Sequence, residues 1–80
     1  MTWQEGSRNN LQSERTRKKL TDREREILVL ADAGQSPASI AEQLSITVRT
    51  VNYHLGGAYR KLGARSRQEA LVTAREENLI

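Results

Sequence analysis

Apolar residues are sparse before Leu20 and recur three and four positions apart after it. Four groups share helical faces. They are Leu20, Ile27, Leu30 and Ala31; then Ile40, Ala41 and Leu44; then Val48, Val51, Leu55, Ala58, Tyr59 and Leu62; and last Ala70, Leu71 and Ala74, extending to Leu79. That spacing sets each group on one side of an α-helix. The chain from Leu20 onward therefore predicts helices.

The residues between these stripes say where each helix starts and stops. Thr21 with Glu24 forms a capping-box pattern, and Asp22, Glu24 and Glu26 put negative charge at the helix N-terminus, where the dipole favours it. Gly34 ends that helix in the left-handed conformation. Ser36 caps a second helix with Pro37 at its first position, where a missing N–H costs nothing. Thr47 caps a third, Val48 to Leu62, after a turn of about three residues. Helices joined by so short a turn cross steeply, as in a helix-turn-helix. Gly63 stops the third helix, and "SRQE" (Ser66 to Glu69) is a second capping-box pattern that opens a fourth. The expectation is an all-α, four-helix domain over residues 20–80 that contains a helix-turn-helix. Met1 to Lys19 is polar and ends in "ERTRKK". It reads as a flexible basic arm or interdomain linker, with Trp3 loose within it.

Composition narrows the class. A chain of 80 residues with three aromatics buries about 60% of its unfolded surface, which suits aliphatic helix packing better than a β-sandwich. There is no cysteine, so disulfides and thiolate metal sites are excluded. No apolar run is long enough to span a membrane, and the N-terminus lacks a signal-peptide core, so the expected location is cytoplasmic.

The net charge is +3, but its distribution says more. Met1 to Lys19 holds five Lys/Arg against two acids, Leu20 to Leu44 two against five, Ser45 to Arg65 four against none, and Ser66 to Ile80 two against three. An acid-free basic block beside an acidic one points to nucleic acid as partner, ahead of an anionic membrane.

The third helix carries most of that block. Outside its apolar face lie two strips: Arg49, Asn52, Tyr53, Gly56 and Arg60 on one, and Thr50, His54, Gly57 and Lys61 on the other. A helix lying in the major groove reads bases with one strip and follows phosphates with the other. Arg49 suits guanine, Asn52 adenine, and the Tyr53 ring a thymine methyl or a sugar, with Gly56 allowing close approach. Thr47, Thr50, His54, Arg60 and Lys61 suit phosphate oxygens. Each glycine of the Gly56-Gly57 pair costs roughly 1 kcal/mol against alanine inside a helix, and both are assigned to the exposed side. Taken alone they fit tolerated drift as well as close approach to a partner; the acid-free charge and helix-turn-helix frame favour close approach. His54 has no second His or Cys for a metal site, and no nucleophile is held beside it for catalysis. Glu24 with Glu26, and Glu76 with Glu77, read as solvated helix-end charges. No catalytic residue, metal or cofactor is expected, and the chain does not read as an enzyme.

These residues resemble the LuxR-type (GerE-like) DNA-binding domain. The match runs through "LTDREREILVLADAGQS", "IAEQLSITVRTVNYHL" and "YRKLGARSRQEAL", about fifty residues. Its most specific pieces are the opening "LT-x-RE-x-E-I-L", the "TV-x-x-H-L" of the third helix and "KLG-x-R-[SN]-R-x-E-A". The ending is most similar to the C-terminal domains of MalT-like regulators, with the NarL type next. Sigma factors share the opening but lack the "KLG-x-RSR" continuation. The resemblance implies a four-helix domain in which the first half of the third helix reads bases, while His54 and Lys61 meet the backbone. It also implies a homodimer through the fourth helix, here Ala70, Leu71 and Ala74. This sequence departs from the family at Asn52, where lysine is common, and at Gly56-Gly57, where longer polar side chains are usual. Modest intrinsic affinity is therefore expected, raised by dimerisation or by another domain.

The chain fits either a small stand-alone regulator or a piece of a larger one. The domain has no ligand pocket or phosphorylatable aspartate pocket in its sequence, so the second is the expectation, with an N-terminal sensor domain, and RNA polymerase as a further contact. Two alternatives stand beside it. One is a protein-interaction module in which the glycines receive another helix; the other is a sigma-like subunit that acts with polymerase.

Overall fold

In the computed structural model, which describes residues 20–80, four helices follow one another: α1 (Asp22–Asp32), α2 (Pro37–Leu44), α3 (Val48–Leu62) and α4 (Arg67–Glu76). Among the described residues there is no strand. The arm or linker expected over Met1 to Lys19 lies outside them.

The caps explain the boundaries. Thr21 Oγ1 accepts from the Glu24 N–H at 3.0 Å, and the Glu24 carboxylate accepts from the Thr21 N–H at 2.8 Å, a reciprocal capping box. At the other end of α1, the N–H of Gly34 reaches Ala31 O at 3.0 Å and that of Gln35 reaches Leu30 O at 3.2 Å. This Schellman closure needs a left-handed residue, and Gly34 supplies it at φ +93°. Ser36 Oγ accepts from the Ser39 N–H at 3.2 Å, with Pro37 at the first helical position.

Only Ser45, Ile46 and Thr47 separate α2 from α3. Ser45 takes the left-handed conformation at φ 58°; its N–H bonds Glu42 O at 3.3 Å and the next, of Ile46, bonds Ala41 O at 3.0 Å. The closure turns Ile46 back onto the core, and Thr47 begins α3 at once. This is the turn of the helix-turn-helix.

The second expected capping box is only half formed. Ser66 Oγ accepts from the Glu69 N–H at 3.1 Å, but the Glu69 carboxylate takes the N–H of Arg65 at 3.3 Å, not that of Ser66. The fourth helix also stops short of Leu79. Asn78 is left-handed at φ 57°, the Leu79 N–H returns to Ala74 O at 2.8 Å, and the Leu79 side chain is buried beyond the helix end.

α3 packs on all three other helices. The core is aliphatic: Leu20, Ile27, Leu28, Ala31, Ile40, Ala41, Val51, Leu55, Ala58, Ala74 and Leu79, with Tyr59 and Leu62 partly buried around it. Two expectations of the apolar pattern and one of the family resemblance need correction. Leu28 is fully buried whereas Leu30 is half-buried, because α1 is covered by α2, α3 and α4 and so buries a wider face than one stripe. Val48 is 42% exposed, since it sits in the first turn of α3. Ala70 and Ala74 are fully buried within the monomer, so these two are not available to a second copy. Of the expected dimer residues, Leu71 is half-buried and packs against the core edge.

α4 is tied to α1 by two arginines. Arg67 Nη2 donates to Ala31 O at 2.9 Å and Gln35 O at 2.7 Å, which clamps the α4 N-terminus to the last turn of α1 and the turn that follows it. Arg75 Nε donates to Asp32 Oδ1 at 2.7 Å.

Candidate nucleic-acid interface

α3 is one unbroken helix, so its two polar strips form a continuous surface. Arg49, Asn52 and Arg60 are exposed, and Tyr53 is 73% exposed. Thr50, His54, Gly56 and Lys61 are half-buried along its border, with Thr47 exposed at the N-cap. The Tyr53 and His54 rings meet edge-on, centroids 5.5 Å apart. Among the described residues, all nine positions assigned to base or phosphate contact thus lie on or beside one helix.

Thr47 and Thr50 are coupled. Thr47 Oγ1 accepts from the Thr50 N–H at 3.0 Å and lies 2.9 Å from Thr50 Oγ1. Two hydroxyl hydrogens serve one bond between the pair, so one remains to donate outward. A phosphate oxygen is a suitable acceptor for it.

The glycine pair is less uniform than its sequence position suggests. Gly57 is buried, not exposed. A β-carbon there would stand 2.6 Å from Oε2 of Glu24, whereas at Gly56 its nearest neighbour would be Arg60 Nη1 at 3.7 Å. The exposed assignment is therefore corrected for Gly57, and its cause is the Glu24 carboxylate beneath it.

Glu24 is the residue that sequence reasoning missed. It is buried, with 6% exposure, and is no solvated helix-end charge. Lys61 Nζ donates to its Oε1 at 2.7 Å, where the Thr21 N–H also bonds. Burial pushes the carboxyl pKa up. The Lys61 ammonium, with the N–H and hydroxyl of Thr21, outweighs that and leaves it below the ordinary value. Glu24, Tyr53, Gly57, Arg60 and Lys61 together line an open hollow at the rim of the α3 surface. The only sequence signal for this was the glycine itself. A residue with no side chain in mid-helix marks a close approach, but nothing local says by what.

Among the described residues, no group of three or more His, Cys, Asp or Glu side chains is placed to hold a metal ion. No described helix is long and apolar enough to cross a membrane.

Comparison with known proteins places this surface in context. The family described as "Bacterial regulatory proteins, luxR family" (GerE) matches residues 18–74. The transcriptional activator protein AhyR of Aeromonas hydrophila is 44% identical over 65 residues, covering 81% of this chain and 25% of AhyR. The response regulator protein VraR of Staphylococcus aureus is 41% identical over 61 residues, covering 76% of this chain and 29% of VraR. The chain thus spans less than a third of the length of these curated relatives.

Proposed function

Because the chain belongs to the luxR family of bacterial regulatory proteins and is the DNA-binding domain of a transcriptional regulator, we propose that α3 enters the major groove of double-stranded DNA. In this reading Arg49, Asn52 and Tyr53 meet base edges, with Gly56 at the point of closest approach. Thr47, Thr50, His54, Arg60 and Lys61 follow the phosphates. One observation supports it most. Arg49, Asn52 and Tyr53 stand exposed on adjacent turns, and the carboxylate nearest this helix face, Glu24, is buried and paired. A polyanion approaching α3 meets cations and hydroxyls.

The test is a titration of isotopically labelled protein with a mixed-sequence duplex, following amide shifts at low and moderate salt. Shifts centred on Thr47 to Lys61 that weaken with salt are the expected result. Shifts absent, or confined to Met1 to Lys19, overturn the reading.

The reading extends to the whole regulator. The relatives are longer than the matched domain, which supports an additional N-terminal sensor domain; the regulator is read as acting in the cytoplasm, where the DNA it would bind is found. Activity there includes pairing of two copies through the outer side of α4 and contact with RNA polymerase. With Ala70 and Ala74 in the core, the apolar groups α4 offers a twin are Leu71 and the 46% exposed Val72.

A further inference from the structure

We propose that Glu24 is a positioning residue for DNA binding: its buried carboxylate, admitted by the missing side chain of Gly57, holds the Lys61 ammonium at the edge of the α3 surface as a preset contact for a backbone phosphate. The proposal rests on the reading of α3 as the groove-binding helix.

A capping role alone does not account for this carboxylate. A capping box needs a single bond from the Thr21 N–H to a carboxylate oxygen at a helix end, and that bond is available in water. Here the group is instead taken out of solvent, which is unfavourable unless a charge compensates it. The chain makes room by leaving position 57 without a β-carbon, which would overlap Glu24 Oε2. It supplies the compensating charge from position 61, one turn further along the same helix. Gly57 and Lys61 together make a seat for Glu24 on α3, across 37 residues of sequence from Lys61.

The consequence for Lys61 is geometric. An ammonium has three donors, and Glu24 Oε1 takes one. The Lys61 side chain keeps 30% exposure and lines the hollow together with Tyr53 and Arg60, which leaves room for a ligand to its remaining donors. A lysine reaching for phosphate ordinarily loses the freedom of a long flexible chain on contact. Here that freedom is lost in folding, so the cation waits in place, with the buried negative end of the pair behind it and the positive end toward solvent. Preorganisation of this kind raises affinity without a new contact.

The experiment measures binding of the full chain to a mixed-sequence duplex across a salt series, for wild type, Glu24→Gln, Lys61→Met and the double variant, each at a temperature where circular dichroism shows it folded. Lys61→Met is expected to reduce the slope of log affinity against log salt by ~1. Glu24→Gln, although it removes a negative charge, is expected to reduce it similarly, and the double variant to bind as either single one does. A structural role alone lowers the melting temperature of Glu24→Gln but leaves the slope of the folded protein unchanged. An unchanged or steeper slope overturns the proposal. Should Glu24→Gln fail to fold, the wild type still decides: the ¹⁵N-ammonium resonance of Lys61 must shift on adding duplex, and its indifference overturns the proposal. Failure of wild type to bind any duplex overturns the groove-binding reading as well. Wild-type binding with a normal salt slope, combined with an indifferent Glu24→Gln, removes only the positioning role.

Discussion

A β-carbon at position 57 and the carboxylate of Glu24 cannot share the space between α3 and α1: they would lie 2.6 Å apart. The neighbouring Gly56 has no such conflict, since its added carbon would meet the Arg60 guanidinium at an ordinary 3.7 Å. Two adjacent glycines in one helix therefore have opposite roles.

Alanine substitutions separate them. Gly56→Ala is expected to stabilise the domain by up to ~1 kcal/mol, the gain in helix propensity. Gly57→Ala collects the same gain but drives Glu24 off both Thr21 and Lys61, and is expected to destabilise by about 1–2 kcal/mol net. Urea unfolding of the two variants checks this. Equal effects of the same sign would mean that Glu24 moves aside freely.

Acid should expose the same group. The folded-state pKa of Glu24 lies below its ordinary value of 4.5, so its contribution is fully present above that value and is lost as pH falls through the lower, folded one. The charged groups lining its hollow are Lys61 and Arg60, both cations. The urea midpoint of wild type is expected to fall on acidification through this range more steeply than that of Glu24→Gln. At neutral pH, Lys61→Met leaves a buried carboxylate without its partner and should cost roughly 2 kcal/mol. Parallel pH profiles for wild type and Glu24→Gln would remove Glu24 from the account of acid sensitivity.

Arg49 tests base reading apart from phosphate contact. Its side chain is exposed in the first turn of α3, so Arg49→Ala is expected to leave the melting temperature nearly unchanged. Once an operator has been selected from a random duplex pool, the variant should lose preference at one base pair, worth ~1–3 kcal/mol. A uniform loss across all sequences would reassign Arg49 to the phosphates.

On α4, neighbouring residues should respond differently. Ala74 is fully buried, and Ala74→Leu overpacks the core at a cost of about 1–3 kcal/mol. Val72 is exposed, and Val72→Glu is expected to leave folding within ~0.5 kcal/mol while weakening pairing of two copies on DNA. Sedimentation of the protein–duplex complex reads this directly. Unchanged stoichiometry with Val72→Glu would place the pairing surface elsewhere.

The helices themselves were legible because their determinants are local. Thr21, Ser36 and Thr47 lie three residues before the N–H groups they cap, Gly34 and Gly63 sit where the backbone must turn left-handed, and the apolar period of α3 follows from its own geometry. The second capping box was misjudged because the Glu69 carboxylate takes the N–H one residue earlier, at Arg65, and local pattern does not choose between adjacent N–H groups. Val48 and Leu28 show a further limit. Periodicity tells which residues share a side, but how much of that side is covered depends on how many helices pack there.

The sequence by itself determined the four helices, their caps, the short turn at Ser45 to Thr47 and the acid-free surface of α3, since each is settled within one or two helical turns. Tertiary structure alone decided that Glu24 is buried, that Gly57 makes room for it, that Lys61 answers its charge, and that Arg67 closes the end of α1. Those contacts join residues more than thirty positions apart. Their energies depend on desolvation and on distance in space, and neither exists until the helices have packed.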